Sequence, residues 1–130
     1  MKTIHLSITL LITFLMALIS IPVMAEGTNV VSPEEQIDNI QDIFDNAVIS
    51  GTLTGVGSGN SAVGRLKALR NMLERAEQLI DLGLDDEAIQ QLQDVYNRID
   101  GNLKPSDFAS GSQTGTLMET IMNIIQNIRA

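Results

Sequence analysis

Apolar residues recur every three or four positions in four stretches of the chain, and this spacing predicts four amphipathic α-helices. The stretches cover about residues 32–49, 61–82, 85–99 and 116–129. Only a short link around Gly83 separates the second stretch from the third, which predicts an antiparallel helical hairpin. No stretch alternates with period two for long enough to predict a strand. The pattern therefore predicts an all-α fold, a small four-helix bundle built on a central antiparallel helical hairpin.

The apolar side of each predicted helix indicates which residues form the core. They lie on one face of their helix and are Ile37, Ile40, Phe44, Ala47 and Val48; Leu66, Leu69, Met72, Leu73, Ala76, Leu79 and Ile80; Ala88, Ile89, Leu92, Val95, Tyr96 and Ile99; and Leu117, Ile121, Ile124, Ile125 and Ile128. The opposite face of the first helix is acidic and carries no base. Full burial of each large aliphatic side chain contributes about 1.5–3 kcal/mol.

Polar residues before each stretch predict where the helices begin. The predicted N-caps are Ser32, Asn60 or Ser61, Asp85 and Thr116. Ser32 and Thr116 are each followed three positions later by a glutamate, which predicts a capping box at both sites. Gly83 and Gly101 supply the left-handed backbone that is favoured where a helix ends.

Two connectors separate the hairpin from the outer helices. Residues 50–60 contain four glycines, which disfavour helix, and Leu53 and Val56 are expected to contact the core. Residues 102–115 form the second connector, and Phe108 is expected to hold it against the core.

Residues 1–25 have the layout of a secretory signal peptide. Lys2 provides a positive start, and residues 4–19 are mostly apolar. Val23 and Ala25 fit positions −3 and −1 of a cleavage site.

A retained membrane anchor is the alternative, but Pro22 and the cleavage-like triplet favour removal. The predicted organisation is a signal peptide at 1–25, a tether at 26–31 and a single helical domain at 32–130. The predicted localisation is secreted or periplasmic.

Removal of the predicted signal peptide leaves an acidic chain. All sixteen acidic residues and seven of the eight basic residues lie after Ala25, so the remaining formal net charge is −9. This charge disfavours nucleic acid and anionic membranes as partners, and no stable membrane insertion is expected after cleavage. The chain has no Cys, so its core, a partner or a larger assembly must stabilise so small a domain.

The residue types that most catalysis needs are missing. The only histidine, His5, lies within the predicted signal peptide. Histidine-based triads, thiol nucleophiles and zinc sites with His or Cys ligands are therefore excluded after cleavage. A pair of carboxylates is an alternative, but helix starts and polar helix faces explain nearly all acidic residues. We predict a non-enzymatic protein with no catalytic, cofactor-binding or metal-binding residues.

Three short segments superficially resemble ligand-binding loops. Asp85–Glu87 offers carboxylates for calcium, but EF-hand spacing is absent there and at Asp100–Asn102. Residues 55–60 are glycine-rich and lead into a helix, but no strand precedes them and no Lys-Ser/Thr follows, so they fail the P-loop test. A helix start and an ordinary connector are the favoured interpretations.

Two groups of residues suggest an interaction surface. Arg65, Lys67 and Arg70 lie near the start of the second helix, where the helix dipole disfavours cations. Either they form a solvated face, or they pair with the acidic face of the first helix and set how it docks. The last helix has more apolar surface than one face needs, including Met118 and Met122, which suits an adaptable interface. Burial between neighbouring helices is the alternative for that helix. These five residues form the predicted interaction surface.

One pattern in the hairpin is similar to that of a known family. The residues that carry it share leucine–alanine–glycine spacing and are Leu66, Leu69, Leu73, Ala76, Leu79, Gly83, Ala88, Gln91 and Leu92. Gly51–Leu53 matches a short G-x-L segment before it, and Asp107-Phe108 with Gly111 matches a closing part. Over about residues 37–128 the chain resembles the FIMAH domain of secreted bacterial proteins. The resemblance implies a non-catalytic helical accessory or interaction module. A tetratricopeptide-like helix pair is a second fold analogy, although the chain has only one such hairpin.

The sequence leaves two functions open. The first is an extracytoplasmic interaction or accessory module that binds an unknown protein partner or forms a homo-oligomer. The alternative is a carrier that holds a small apolar ligand between its helices.

Overall fold

The computed structural model describes residues 31–130. The predicted signal peptide at 1–25 and residues 26–30 of the predicted tether lie outside the described residues. The elements, in chain order, are α1 Pro33–Ile49, β1 Thr54–Gly55, α2 Asn60–Asp81, α3 Asp85–Tyr96, β2 Ala109–Ser110 and α4 Thr114–Arg129. The predicted predominance of helix is confirmed, whereas the sequence pattern does not predict the two short strands.

Helix α1 begins where the sequence predicts, because its first turn is capped. Ser32 has an extended backbone, and its Oγ accepts a hydrogen bond from the Glu35 N–H at 3.3 Å. Pro33 lies in the first turn, where an N–H donor has no helical partner. The Glu34 carboxylate accepts hydrogen bonds from its own N–H and from the Ser32 hydroxyl, which lowers the pKa of Glu34. The bond from the Glu35 N–H to Ser32 Oγ is the serine half of the predicted capping box.

The predicted caps of α2 and α3 are wrong, since neither helix has a side-chain cap. Gly59 is the N-cap of α2, and its positive φ of 53° turns the chain into the helix one residue before Ser61. Leu84 is the N-cap of α3, and Asp85 is the first residue of that helix. The Leu84 N–H donates to the Leu79 carbonyl at the end of α2, and the Leu84 carbonyl accepts from Ala88 in α3. The N–H of Leu84 therefore bonds to the end of α2, while its carbonyl accepts the first hydrogen bond of α3.

The predicted capping box of the last helix is also wrong. Helix α4 begins at Thr114, so Thr116 lies within its first turn. The Thr114 hydroxyl donates to the Gly111 carbonyl at 3.0 Å, and its N–H donates to the same oxygen at 3.4 Å. This turn starts the helix two residues before the predicted cap.

Helix α3 ends at Tyr96, three residues before the predicted end at Ile99. The Arg98 N–H donates to the Val95 carbonyl, and the Ile99 N–H donates to the Tyr96 carbonyl. Each bond reaches the third preceding residue, so the α-helix gives way to a tighter turn after Tyr96. Ile99 still reaches the core and is only 3% exposed.

The helices pack in a defined pattern around one core. Helix α2 packs against α1 and α3, and α4 packs against the same two helices. The α2–α3 contact is the most extensive, and the Gln91 side chain of α3 donates to the Met72 carbonyl of α2 at 3.2 Å. The short link through Gly83, at φ +66°, leaves α2 and α3 antiparallel.

The core consists mainly of the residues that the helical spacing predicts. The buried residues are Ile37, Ile40, Phe44, Ala47, Leu53, Leu69, Leu73, Ala76, Leu79, Ile80, Ala88, Leu92, Val95, Ile99, Ala109, Leu117, Ile121, Ile124 and Ile125. Val48, Leu66, Met72, Ile89, Tyr96 and Ile128 are half-buried and pack against them. The predicted contact of Leu53 with the core is confirmed, whereas Val56 is only half-buried.

Strands β1 and β2 join the two connectors. They pair antiparallel, with Thr54 opposite Ser110 and Gly55 opposite Ala109. The Val56 N–H extends the pairing by donating to the Phe108 carbonyl at 2.9 Å. Two-residue strands are too short to show alternation, which is why the sequence pattern does not predict them.

Phe108 holds the second connector against the core, as predicted. Its ring is half-buried against the core, and the Arg98 guanidinium lies 4.6 Å from the ring centroid. The Phe108 N–H also donates to the Arg98 carbonyl at 2.7 Å. The connector is thus fixed through both its backbone and its aromatic side chain.

Candidate interaction groove between α1 and α2

The last two turns of α1 and the first three turns of α2 enclose an open groove of about 530 Å³. Its lining residues are Phe44, Asp45, Val48, Ile49, Val63, Leu66, Lys67 and Arg70. Two of the five predicted surface residues, Lys67 and Arg70, line this groove. We name it the α1–α2 groove.

The α1–α2 groove has apolar side chains that are open to solvent. Ile49 is 83% exposed and Val63 is 65% exposed. Val48 and Leu66 are half-buried and continue the same apolar surface towards the core. A contiguous apolar surface rimmed by charges is typical of an interaction site, whereas isolated exposed apolar residues are ordinary.

The local sequence explains why this surface is uncovered. The apolar spacing of α2 extends back from Leu69 through Leu66 to Val63. Helix α1 ends at Ile49, and the chain then turns at Gly51, whose φ is +73°. Val63 therefore lies beside the last residues of α1, where that helix ends and leaves the apolar stripe of α2 exposed.

Arg70 is the predicted basic residue that pairs with α1. Its Nε lies 3.0 Å from Asp45 Oδ1, and its Nη1 lies 3.5 Å from Glu74 Oε1 within α2. Arg70 Nη1 also donates to Oε1 of Gln41 in α1. The predicted pairing of the two helices is thus present at Arg70.

Arg65 and Lys67 do not join that pairing. The Arg65 guanidinium donates to the backbone carbonyl of Asp107 at 3.3 Å, so it braces the second connector. Within residues 31–130, neither Arg65 nor Lys67 forms an ion pair. Both keep an uncompensated charge on the first turns of α2.

Gln41 is a contact residue that the sequence pattern does not single out. It is 8% exposed and is buried between α1 and α2. Its Nε2 donates to Glu77 Oε2 at 2.7 Å, while its Oε1 accepts from Arg70. Gln41 lies four residues after Ile37, on the edge of the apolar stripe, and that position is the only signal of its burial.

Met118 and Met122 lie on α4, away from the basic residues. Met118 is half-buried against the core, and Met122 is 39% exposed. Because α2 and α4 pack on the same two helices, they face each other across the core. The structure therefore places the five predicted surface residues in two separate groups, and Ile49 and Val63 of the α1–α2 groove are both more exposed than the two methionines.

The glycine-rich connector has a structural role that its sequence conceals. A methyl group at Gly55 would overlap the backbone carbonyl of Ala62 in the first turn of α2. A methyl group at Gly111 would overlap the carbonyl of Thr52 in the same way. Gly55 thus allows β1 to pack closely against the start of α2, and Gly111 allows the chain after β2 to pack closely against the start of the first connector.

In one of the two segments considered for calcium, the Asp100 carboxylate already accepts hydrogen bonds from Asn102. Asp100 Oδ1 accepts from the Asn102 N–H at 2.9 Å, and Asp107 Oδ2 accepts from the Gly101 N–H at 3.1 Å. Asp85–Glu87 forms the first turn of α3. Among the residues that the structure describes, no group of three or more potential side-chain ligands is placed to hold a metal ion.

Two further features bear on what the described part of the chain can bind. A void of about 10 Å³ lies in the core between the four helices, which is space for about one water molecule. None of the helices in residues 31–130 has the length and apolar character needed to cross a membrane.

The chain matches no protein-family model, no curated protein and no solved structure.

Proposed function

We propose that the protein is a non-catalytic, extracytoplasmic helical module, a FIMAH-like four-helix bundle, that binds another protein through the α1–α2 groove. The observation that carries the proposal is the joint exposure of Ile49 and Val63 in one groove beside Lys67. Covering two such side chains contributes about 1.5–3 kcal/mol each. That gain is appropriate for the centre of a modest protein interface.

The packing supports a bundle that holds the groove in a fixed shape. Arg70 lines the groove and connects α1 to α2 through its hydrogen bonds to Asp45 and Gln41. Gly55 fixes the first turn of α2 against the sheet. Both walls of the groove are thus held in place before a partner binds, which reduces the entropy cost of binding.

The absence of His and Cys after residue 25 supports a non-catalytic role. A carrier function has less support, because the core void could not hold an organic ligand without separation of the helices. Protein binding is therefore the function that the groove favours.

A photo-crosslinking amino acid at position 63 in the full chain, expressed in its own host, tests the proposal. We expect a discrete crosslinked protein product after irradiation. The matched control places the same amino acid at position 103, because Leu103 is 92% exposed but lies outside the groove. Products that are absent at position 63, or equal at both positions, would contradict the proposal.

A further inference from the structure

The first turns of α2 concentrate positive charge on an acidic protein. Residues 60–73 contain Arg65, Lys67 and Arg70 and no acidic residue, and the first acid of α2 is Glu74. The whole chain has a formal net charge of −8. The start of α2 therefore differs in sign from the rest of the protein.

The backbone adds to this positive charge. The N-terminal end of a helix carries the positive end of the helix dipole. Helix α2 has Gly59 at its N-cap, makes no side-chain cap hydrogen bond and has no acidic residue in its first turn. Helix α1 has the opposite arrangement, with Ser32, Glu34 and Glu35 at its start. The basic side chains and the dipole of α2 thus repel each other, and a carboxylate from a partner would relieve that repulsion.

We infer that the occupant of the α1–α2 groove is an acidic amphipathic helix of another protein. This inference rests on the proposed function. The apolar side of such a helix would cover Ile49 and Val63, and one of its carboxylates would face Lys67, which lines the groove and forms no ion pair within residues 31–130. Apolar residues at spacings of three and four suit a groove between two helices. Charge complementarity at the rim selects the partner and speeds association.

A second copy of this chain fits the groove less well. Two grooves placed face to face would bring the basic cluster of one copy against that of the other. Like-charge contacts of this kind are costly at an interface, and both copies are acidic elsewhere.

An anionic membrane also fits less well than a protein helix. A membrane surface has no shape that could enter a groove, whereas a helix does.

The test uses two synthetic helical peptides with identical apolar residues at positions i, i+3, i+4 and i+7. One has glutamate at the remaining positions, and the other has lysine. Each is titrated into the isotope-labelled full chain and followed by amide chemical shifts. We expect the glutamate peptide to shift the amides of Ile49, Val63 and Lys67 and to bind at least about tenfold tighter than the lysine peptide. The difference should shrink at high salt, because the rim charges are exposed.

Lys67→Glu should weaken binding of the glutamate peptide by about tenfold or more, since it replaces attraction by repulsion. Lys104→Glu is the matched control, because Lys104 is exposed in the second connector and does not line the groove. That variant should bind like the unaltered chain. Equal losses in both variants would show a long-range charge effect and would overturn the inference.

Other outcomes separate this inference from the proposed function. Equal binding of both peptides at the groove would overturn the acidic preference but keep a protein-binding groove. Binding of neither peptide would contradict the inference, and crosslinking at position 63 would then decide the proposed function independently. Dimerisation that Val63→Ser abolishes would identify a second copy as the occupant. Groove-specific shifts with vesicles of phosphatidylcholine and phosphatidylglycerol would identify a membrane instead.

Discussion

The two halves of helix α2 differ in what they do for the protein. The C-terminal half, residues 71–81, has Leu73, Ala76, Leu79 and Ile80 buried in the core. The N-terminal half, residues 60–70, has an exposed Val63, a half-buried Leu66 and three basic residues, and of its residues only Leu69, near the middle of the helix, is buried. One continuous helix therefore combines a part that stabilises the fold with a part whose apolar stripe is left uncovered.

The largest expected difference between the halves is in packing. Leu73→Ala should lower the free energy of unfolding by about 2–5 kcal/mol, because it leaves a cavity at a residue only 1% exposed. Val63→Ala should change it by less than about 0.5 kcal/mol, because that side chain is mostly in solvent. Urea unfolding of both variants measures this contrast. Similar losses would mean that the N-terminal half is also part of the stabilising core.

A pair of Gly→Ala variants tests how the N-terminal half is held. Gly55→Ala should lower the free energy of unfolding by about 1–3 kcal/mol, because the new methyl group overlaps the Ala62 carbonyl. Gly64→Ala should raise it by about 0.5–1 kcal/mol, because Gly64 lies in a helix with open space around it. Thermal unfolding gives the sign of each change. A neutral Gly55→Ala variant would show that the sheet does not fix the start of α2.

The charges of the N-terminal half should contribute less to the free energy of unfolding than its packing does. Arg70→Gln should cost about 0.5–1.5 kcal/mol at low salt, because Arg70 connects Asp45 and Gln41 across the two helices. Lys67→Gln should cost less than about 0.5 kcal/mol. The free energies of unfolding at low and high salt provide the measurement. A larger loss of stability for Lys67→Gln would show that Lys67 has a partner within the fold. It would count against the proposal that Lys67 is free to contact another protein at the groove.

The smallest effect concerns the start of α1, which has the cap that α2 lacks. The pKa of Glu34 lies below its ordinary value, because the carboxylate accepts hydrogen bonds from its own N–H and from Ser32. A lowered folded-state pKa favours the folded protein above the ordinary pKa, and this contribution is lost as the pH falls through the folded value. Ser32→Ala should move the pKa of Glu34 upwards. Carboxyl NMR titration measures the shift, and an unchanged pKa would show that Ser32 does not contribute.

Much of the fold can be predicted from the sequence because helical spacing reports burial directly. Ile37, Ile40 and Phe44 in α1, and Leu69 and Leu73 in α2, are buried as their spacing predicts. Helix starts are less predictable, because backbone geometry can replace a side-chain cap. Gly59 and Leu84 begin two helices through their φ angles and hydrogen bonds, although polar residues beside them are the better caps by type.

The candidate groove could be predicted only in part. The basic cluster is visible in the sequence, and the structure places Lys67 and Arg70 on the groove. The exposure of Ile49 and Val63 depends on where α1 stops relative to α2, which no local pattern contains. The contacts of Gly55 and Gly111 are also tertiary, since each glycine meets a backbone carbonyl from another segment.

The pairing of β1 with β2 has a consequence for the integrity of the chain. Thr54 and Ser110 are 56 positions apart, and they lie on opposite sides of the exposed turn at Leu82–Leu84. Such exposed turns are preferred sites of proteolytic nicking. A cut at Gly83 would leave two fragments, each with one strand and two helices. Because the strands, α1 with α4, and α2 with α3 all bridge the cut, the nicked protein should stay one particle until it is unfolded.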